Sequence, residues 1–331
     1  MLLPMVSCRD IPEFPNSRTG NFDALWTVLD EHYCFFCEKG IDWDSVYAVY
    51  KPQAENCTNQ QQLFTVCADM LATLRDGHTN LSSPFATSYY TKWWSDYPDN
   101  YDDRLVEQYY FNFNYRRLGT ITYGMLVQNV GYIRYPSFDT GLGAGNIDYI
   151  LDYLKFAPAL IFDVRENGGG SMTNVEDWVG RFLRERTLVG YISHKTGPGH
   201  GDFSEPYPYH YSPPETGHLM WFKPVIVLAD RGTFSAANNF VSVMKQLPNV
   251  TIVGATTGGG SGMPFSSEIP NGWSVRFSAC SVLDAQGNTT EQGVDPTPGC
   301  EVNLDPEAAL RGHDTVIDFA LALIQEQLNA R

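Results

Sequence analysis

No stretch of this chain carries the ~18 consecutive apolar residues that would span a bilayer as a helix, although apolar residues make up 43% of its composition. Cations are scarce: 22 Lys and Arg stand against 38 Asp and Glu, a net charge of −16. That balance excludes a basic face for nucleic acid or anionic lipid. The charges are scattered, so the excess acid reads as a solvated surface. No second Cys-x-x-Cys accompanies Cys34-Phe-Phe-Cys37, which removes the usual tetrathiolate zinc site. Internal repeats and low-complexity linkers are missing as well. What remains is 331 residues, enough to bury one substantial core with a smaller domain beside it.

The most informative segment is KPVIVLADRGTFSAANNFVSVMKQLPNVTIVGATTGGGSG, Lys223 to Gly262. An apolar run ends in a polar turn, Ser235 opens a helical spacing, and a second apolar run closes in glycines. The order is strand, turn, helix, strand. Ser235 thus falls where a strand hands over to a helix N-terminus, with unpaired N–H groups and a dipole that favours developing negative charge. A serine so placed is either an ordinary N-cap or a nucleophile with half an oxyanion hole beside it.

A second unit, ALIFDVRENGGGSMTNVEDWVGRFL from Ala159 to Leu183, repeats the pattern with Gly168, Gly169 and Gly170 in the turn. Consecutive glycines let backbone amides approach a ligand closely. The turn matches neither a phosphate loop nor the dinucleotide GxGxxG. Two such units in one sheet bring both turns to the carboxyl ends of the strands, where open α/β sheets bind ligands. A third element, LATLRDGHTNL, places His78 after an Asp-Gly turn that closes an apolar helix.

The DGHT turn, GYIRYPSF (131–138), LIFDVRENGGG (160–170), TFSAANNF (233–240), IVGATTGGG (252–260) and EQGVDP (291–296) together resemble the tail-specific, C-terminal processing peptidases and the tricorn protease core. The whole chain is most similar to Bacteroides-type exported members of that group. The resemblance implies an α/β, ClpP/crotonase-like core of strand-helix units with a small N-terminal helical domain. It implies serine endopeptidase chemistry through an acyl-enzyme, without a cofactor or metal, on a peptide or unfolded protein substrate. It also implies a bacterial cell envelope location. Processing peptidases pair the serine with a lysine, but that position is Gly260 here. Lys245, the one lysine downstream of Ser235, sits three helical turns away. Tricorn-type members use a histidine base, and His78 stands at the matching turn.

The resemblance therefore assigns Ser235 as nucleophile and His78 as general base, with an imidazole pKa expected near the ordinary 6.5. The amides of Gly168, Gly169 and Ala236 form the oxyanion hole. Glu291 matches the acidic residue that orients the histidine, although Gly77 replaces the tricorn serine that bridges the two. Asn238 replaces a common glutamate, and its chemistry is open at this point. Residues 79–130 are too few for the PDZ domain of processing peptidases. Their aromatic stretch (YYTKWWSDYPDNYDD) either packs a small subdomain or covers a peptide cleft.

The expected organisation is a tail at 1–20, helices over 21–90, an aromatic connecting segment at 91–130 and the peptidase core at 131–331. MLLPMVSCRD resembles the end of a bacterial lipoprotein leader, with Cys8 as the lipidated residue. The other six cysteines could pair in an oxidising envelope. His194, His200 and His210 are candidates for a weak metal site. The alternative to an enzyme is a non-catalytic peptide- or lipophile-binding module on the same scaffold, as in retinoid-binding relatives. An α/β esterase is disfavoured, because TFSAA lacks Gly-x-Ser-x-Gly.

Overall fold

The computed structural model describes residues 13–330; Cys8 and most of the N-terminal tail lie outside that range. The chain forms two compact units. The first runs through Tyr90 and takes in Lys195–Asp202 and Pro264–Ala279; the second comprises Thr91–His194, Phe203–Met263 and Cys280–Arg331.

The first unit is built on helices Arg18–His32, Trp43–Asn56 and Gln60–Ala72. Each opens on a capping side chain: Ser17, Asp42 and Asn59 accept from the backbone N–H three residues on. These caps satisfy donors that the first turn leaves unpaired. The helices bury Phe22, Leu25, Leu29, Trp43, Leu63, Cys67 and Met70. Trp26 and Trp43 stack with an interplanar angle of 6°. Each indole N–H donates to the other residue's carbonyl at 3.1 Å, so both rings bury without losing a hydrogen bond. Strand Asn80–Ser82 pairs antiparallel with the start of strand Ser274–Leu283, Asn80 opposite Arg276. Strands Gly262–Glu268 and Ser274–Leu283 form a hairpin around the Asn271-Gly272 pair, with Gly272 at φ 81°.

The second unit is an α/β layer structure. Its sheet runs Arg116–Leu118, Ile121–Met125, Gly131–Arg134, Leu160–Asp163, Val225–Ala229, Val250–Gly254. The first three strands are antiparallel neighbours and the last four are parallel. The strands Leu160–Asp163 and Val225–Ala229 are buried at every position, as central parallel strands must be when helices cover both faces. Helices Ala144–Leu154, Met172–Val179 and Ala236–Met244 pack Leu151, Trp178, Phe240 and Val241 into one core. Helix Thr315–Asn329 packs Val316, Ile317, Ala320 and Ile324 into another, against Tyr132, Ile161, Ile226 and Leu228.

The sequence placed no strand before Gly131, yet two antiparallel strands extend the sheet upstream of it. Cys34, Cys37, Cys57, Cys67, Cys280 and Cys300 carry no disulfide, and of the six only Cys37 is exposed. His194 meets Ser204 and His200 meets Asp30; among the described residues no group of three or more His, Cys, Asp or Glu is placed to hold a metal ion.

Candidate active site

Three turns meet at the carboxyl ends of the parallel strands: 164–170, 230–236 and 255–261. Ser235 lies in the middle one. Its backbone has φ 57° and ψ −121°, and its side chain makes no capping hydrogen bond to helix Ala236–Met244. An ordinary N-cap has extended backbone and a side chain folded onto the first turn. Ser235 has neither, so the N-cap reading fails. A non-glycine residue in this region of backbone space is strained by about 1–3 kcal/mol, and neighbouring bonds hold it there. Phe234 N–H donates to Asn167 O at 2.9 Å, Ser235 N–H to Gly259 O at 2.8 Å, and Gly258 N–H to Thr233 O at 2.7 Å.

Gly169 explains the glycine cluster. A Cβ built there would lie 2.7 Å from both Phe234 O and Ser235 Cβ, so only glycine lets the two turns touch. Gly170 has φ 137° and its Cβ would strike the Phe138 backbone at 2.2 Å. The N–H groups divide unequally. Gly169 N–H, expected to face an oxyanion, instead donates to Asn167 Oδ1 at 2.9 Å. The N–H groups of Gly168 and of Ala236, the first helical residue, have no acceptor among the described residues.

Two buried polar clusters brace the turns, and the sequence alone revealed neither. Asp230 Oδ1 accepts from Glu166 N–H at 2.8 Å and Thr233 N–H at 3.1 Å, tying the first two turns together. Thr233 Oγ1 also donates to Val164 O at 2.8 Å. Below the glycine turn, fully buried Arg165 sits between Asp163 and Asp314, at 2.6 and 2.9 Å. It gives a further bond to Asn100 O. Burial would raise the Asp163 carboxyl, but Arg165 holds it below the ordinary range. An Asp three residues before a Thr at a strand end was a readable turn signal. Asp314 is too distant in sequence to have been paired by inspection.

Asn238 now has a physical account. Its Nδ2 donates to Thr290 Oγ1 at 3.0 Å, and its Oδ1 accepts from Thr257 Oγ1 at 2.5 Å. The helix start is thereby tied to two loops, through a donor that a glutamate lacks. Glu291 is buried, and its Oε2 accepts from Ser261 N–H at 2.9 Å. It braces the third turn, from which Gly259 O holds Ser235. Lys245 caps the far end of helix Ala236–Met244, about 15 Å along the axis from Ser235, and its ammonium donates to Asp295 O.

His78 belongs to the first unit, as Ser235 belongs to the second. It is buried, and its N–H donates to Asp76 Oδ1 at 2.8 Å. Its imidazole departs from the expected 6.5. Burial pushes it down to about 4, with Arg276 and Lys39 adding to the effect and Asp76 opposing it. The ring is therefore neutral throughout the physiological range.

With a strained serine at a helix N-terminus, a glycine turn pressed against it and unpaired amides on both sides, comparison with known proteins becomes decisive. The family model of peptidase family S41 matches residues 129–298, spanning all three turns. This chain belongs to peptidase family S41. The tricorn protease C1 domain matches residues 14–72 of the first unit. A crystal structure of a candidate peptidase from Parabacteroides merdae ATCC 43184 is 46% identical. It covers 94% of this chain and 97% of its own, with a TM-score of 0.88. The carboxy-terminal processing protease CtpA of Bacillus subtilis strain 168 is 26% identical over 221 residues, 64% of this chain. The chain spans only 44% of that curated relative's length. Mature CPAF, solved in complex with lactacystin, shares the fold at 12% identity, with a TM-score of 0.73 over 95% of this chain. The S41 match places the three turns within the family's shared region.

Proposed function

We propose that this S41 member is a serine endopeptidase in which Ser235 attacks the scissile carbonyl. The observation that carries the reading is the Ser235 backbone, strained at the head of a helix and left without a capping role. In the proposed reaction Ser235 Oγ gives its proton to a neutral imidazole as the C–O bond forms. The tetrahedral oxyanion is met by the N–H groups of Gly168 and Ala236, each worth about 2.7–4 kcal/mol in the barrier. Collapse returns the proton to the leaving amine and leaves an ester on Ser235. Water activated by the same base then releases the acid.

We assign the base to His78. Its support is the motif match, an imidazole kept neutral by burial, and a Lys245 ammonium engaged on Asp295. Glu291, proposed from sequence as the histidine's orienting group, gains a role that the hydrogen bonds support more directly: holding the Ser261 loop. Peptides or unfolded proteins in the bacterial cell envelope are the proposed substrates, and lipidation of Cys8 is the proposed means of attachment. One observation favours the rival, a non-catalytic binding module: an imidazole with pKa about 4 is a weak base near neutral pH.

A fluorophosphonate probe with mass-spectrometric mapping separates these readings. The enzyme reading expects labelling at Ser235 that disappears in Ser235→Ala and His78→Ala and persists in Lys245→Ala. No labelling of folded wild type between pH 6 and 9 favours the binding module.

A further inference from the structure

The aromatic stretch KWWSDYPDN, to which the peptidase reading gives no task, folds beside the nucleophile turn. Trp93 stacks on Phe234 with ring centroids 4.1 Å apart, and its carbonyl accepts from Arg231 Nε at 2.6 Å. Trp94 and Tyr97 are 46% and 48% exposed. Together with Glu166, Gly168 and Asp230–Gly232 they line a cavity of about 390 Å³. That volume accepts the largest side chains.

The charges of the lining are unbalanced. Asp99, Glu166 and Asp230 face the cavity against one cation, Arg231. The Arg231 guanidinium is already committed, donating to the carbonyls of Thr257 and Gln292 and lying over the Tyr97 ring at 4.6 Å. Glu166 is held at φ 55° beside the glycine turn, and its carboxylate accepts no hydrogen bond from a described residue. Burial pushes that carboxyl upward and Asp230 adds to the effect, with Arg134 opposing it more weakly. Arg134 and Arg165 act on Glu166 only from a distance, and no cation among the described residues forms an ion pair with it, so its carboxylate is open to an incoming one. A second cavity, of about 740 Å³, shares Pro98, Asp99 and Glu166 and continues past Asp102 and Asp103. The path away from Gly168 is acidic as well.

We infer that the cavity beside Gly168 receives the substrate side chain adjoining the scissile bond and selects a long basic residue, lysine or arginine. The aliphatic stem would lie along the exposed faces of Trp94 and Tyr97, and the cationic head would reach Glu166. An acidic side chain meets repulsion there. A purely apolar one fills the aromatic part but leaves the Glu166 carboxylate desolvated without a partner. This inference rests on the reading of Ser235 as the nucleophile.

The test uses the full chain carrying Ser235→Ala, so that binding is read without cleavage. Peptides on an alanine-serine scaffold, each with a single lysine, norleucine or glutamate walked along it, are titrated by fluorescence anisotropy. At one position lysine should bind at least tenfold more tightly than norleucine, and glutamate should bind least. Adding Glu166→Gln should reduce that lysine-to-norleucine ratio to about twofold. Because the readout is a ratio within one protein, a general loss of binding does not imitate it. Equal binding of norleucine and lysine, or a ratio that survives Glu166→Gln, overturns the assignment. Wild-type labelling at Ser235 by the fluorophosphonate, run in parallel, keeps the two failures apart. Labelling without lysine preference removes the subsite alone. Lysine preference without labelling removes the catalytic reading, and with it the placement at a scissile bond.

Discussion

The two strand-turn-helix units of the second unit solve one geometrical problem in opposite ways. In the turn at 164–170 the side chain is deleted at the point of contact: Gly169 and Gly170 take positive φ, and the Gly168 amide is left open. In the turn at 230–236 a side chain is kept in that same conformational region, and the surroundings hold it. The first solution costs chain entropy in the unfolded state, and the second costs strain in the folded one. If Ser235 is the nucleophile, as proposed, its side chain cannot be deleted, and the strained solution falls on the serine. The braces differ accordingly. The glycine turn stands on a buried Asp163–Arg165–Asp314 cluster, whereas the serine turn is held by backbone bonds to its two neighbours and by Asp230, which joins it to the glycine turn.

The comparison breaks most visibly at the serine itself. Ser235→Ala should lower kcat/KM by about 10³-fold or more with an unfolding midpoint near that of wild type, read in paired kinetic and thermal assays. Arg165→Met should leave Asp163 and Asp314 buried without a cation and cost about 3–5 kcal/mol in urea unfolding. If the glycine turn does not depend on that cluster, the loss will be far smaller. Burial of His78 supplies the next effect. Its imidazole titrates near 4 when folded and near 6.5 when unfolded, so the unfolded chain binds more protons between those values. Stability fully present above pH 6.5 should therefore fall by about 3 kcal/mol on going down to pH 4, and His78→Asn should flatten that part of the profile. Asn238→Asp, which removes the donor to Thr290, should cost about 1–3 kcal/mol. Ser235→Gly sharpens the contrast most finely. It should raise stability by about 1 kcal/mol while abolishing probe labelling, and a destabilised variant would mean that the serine is not strained.

The sheet and both turns were legible because their signals are local. PVIVLA and ALIFDV are continuous apolar runs, each followed by a turn and an amphipathic helix, and only buried parallel strands use that pattern well. The strands at 116–118 and 121–125 escaped notice because they are short, lie at the sheet's edge and include exposed arginines. Asn167 taking the Gly169 amide and Asn238 joining Thr257 to Thr290 depend on partners brought together only by folding. The depressed His78 imidazole depends on burial and on Arg276, contributed by a strand nearly two hundred residues later in the chain. Residues 195–202 and 264–279 join the first unit without any shift in composition to mark them.

The hydrogen bonds that fix Ser235 come from Gly259 and, through Phe234, from Asn167. One acceptor segment is made well before the serine and the other after it. Until both strands have docked, nothing forces the serine out of a relaxed backbone, and it is a hydroxyl like any other. On the proposed reading of Ser235, its reactivity therefore arrives with the closing of the sheet.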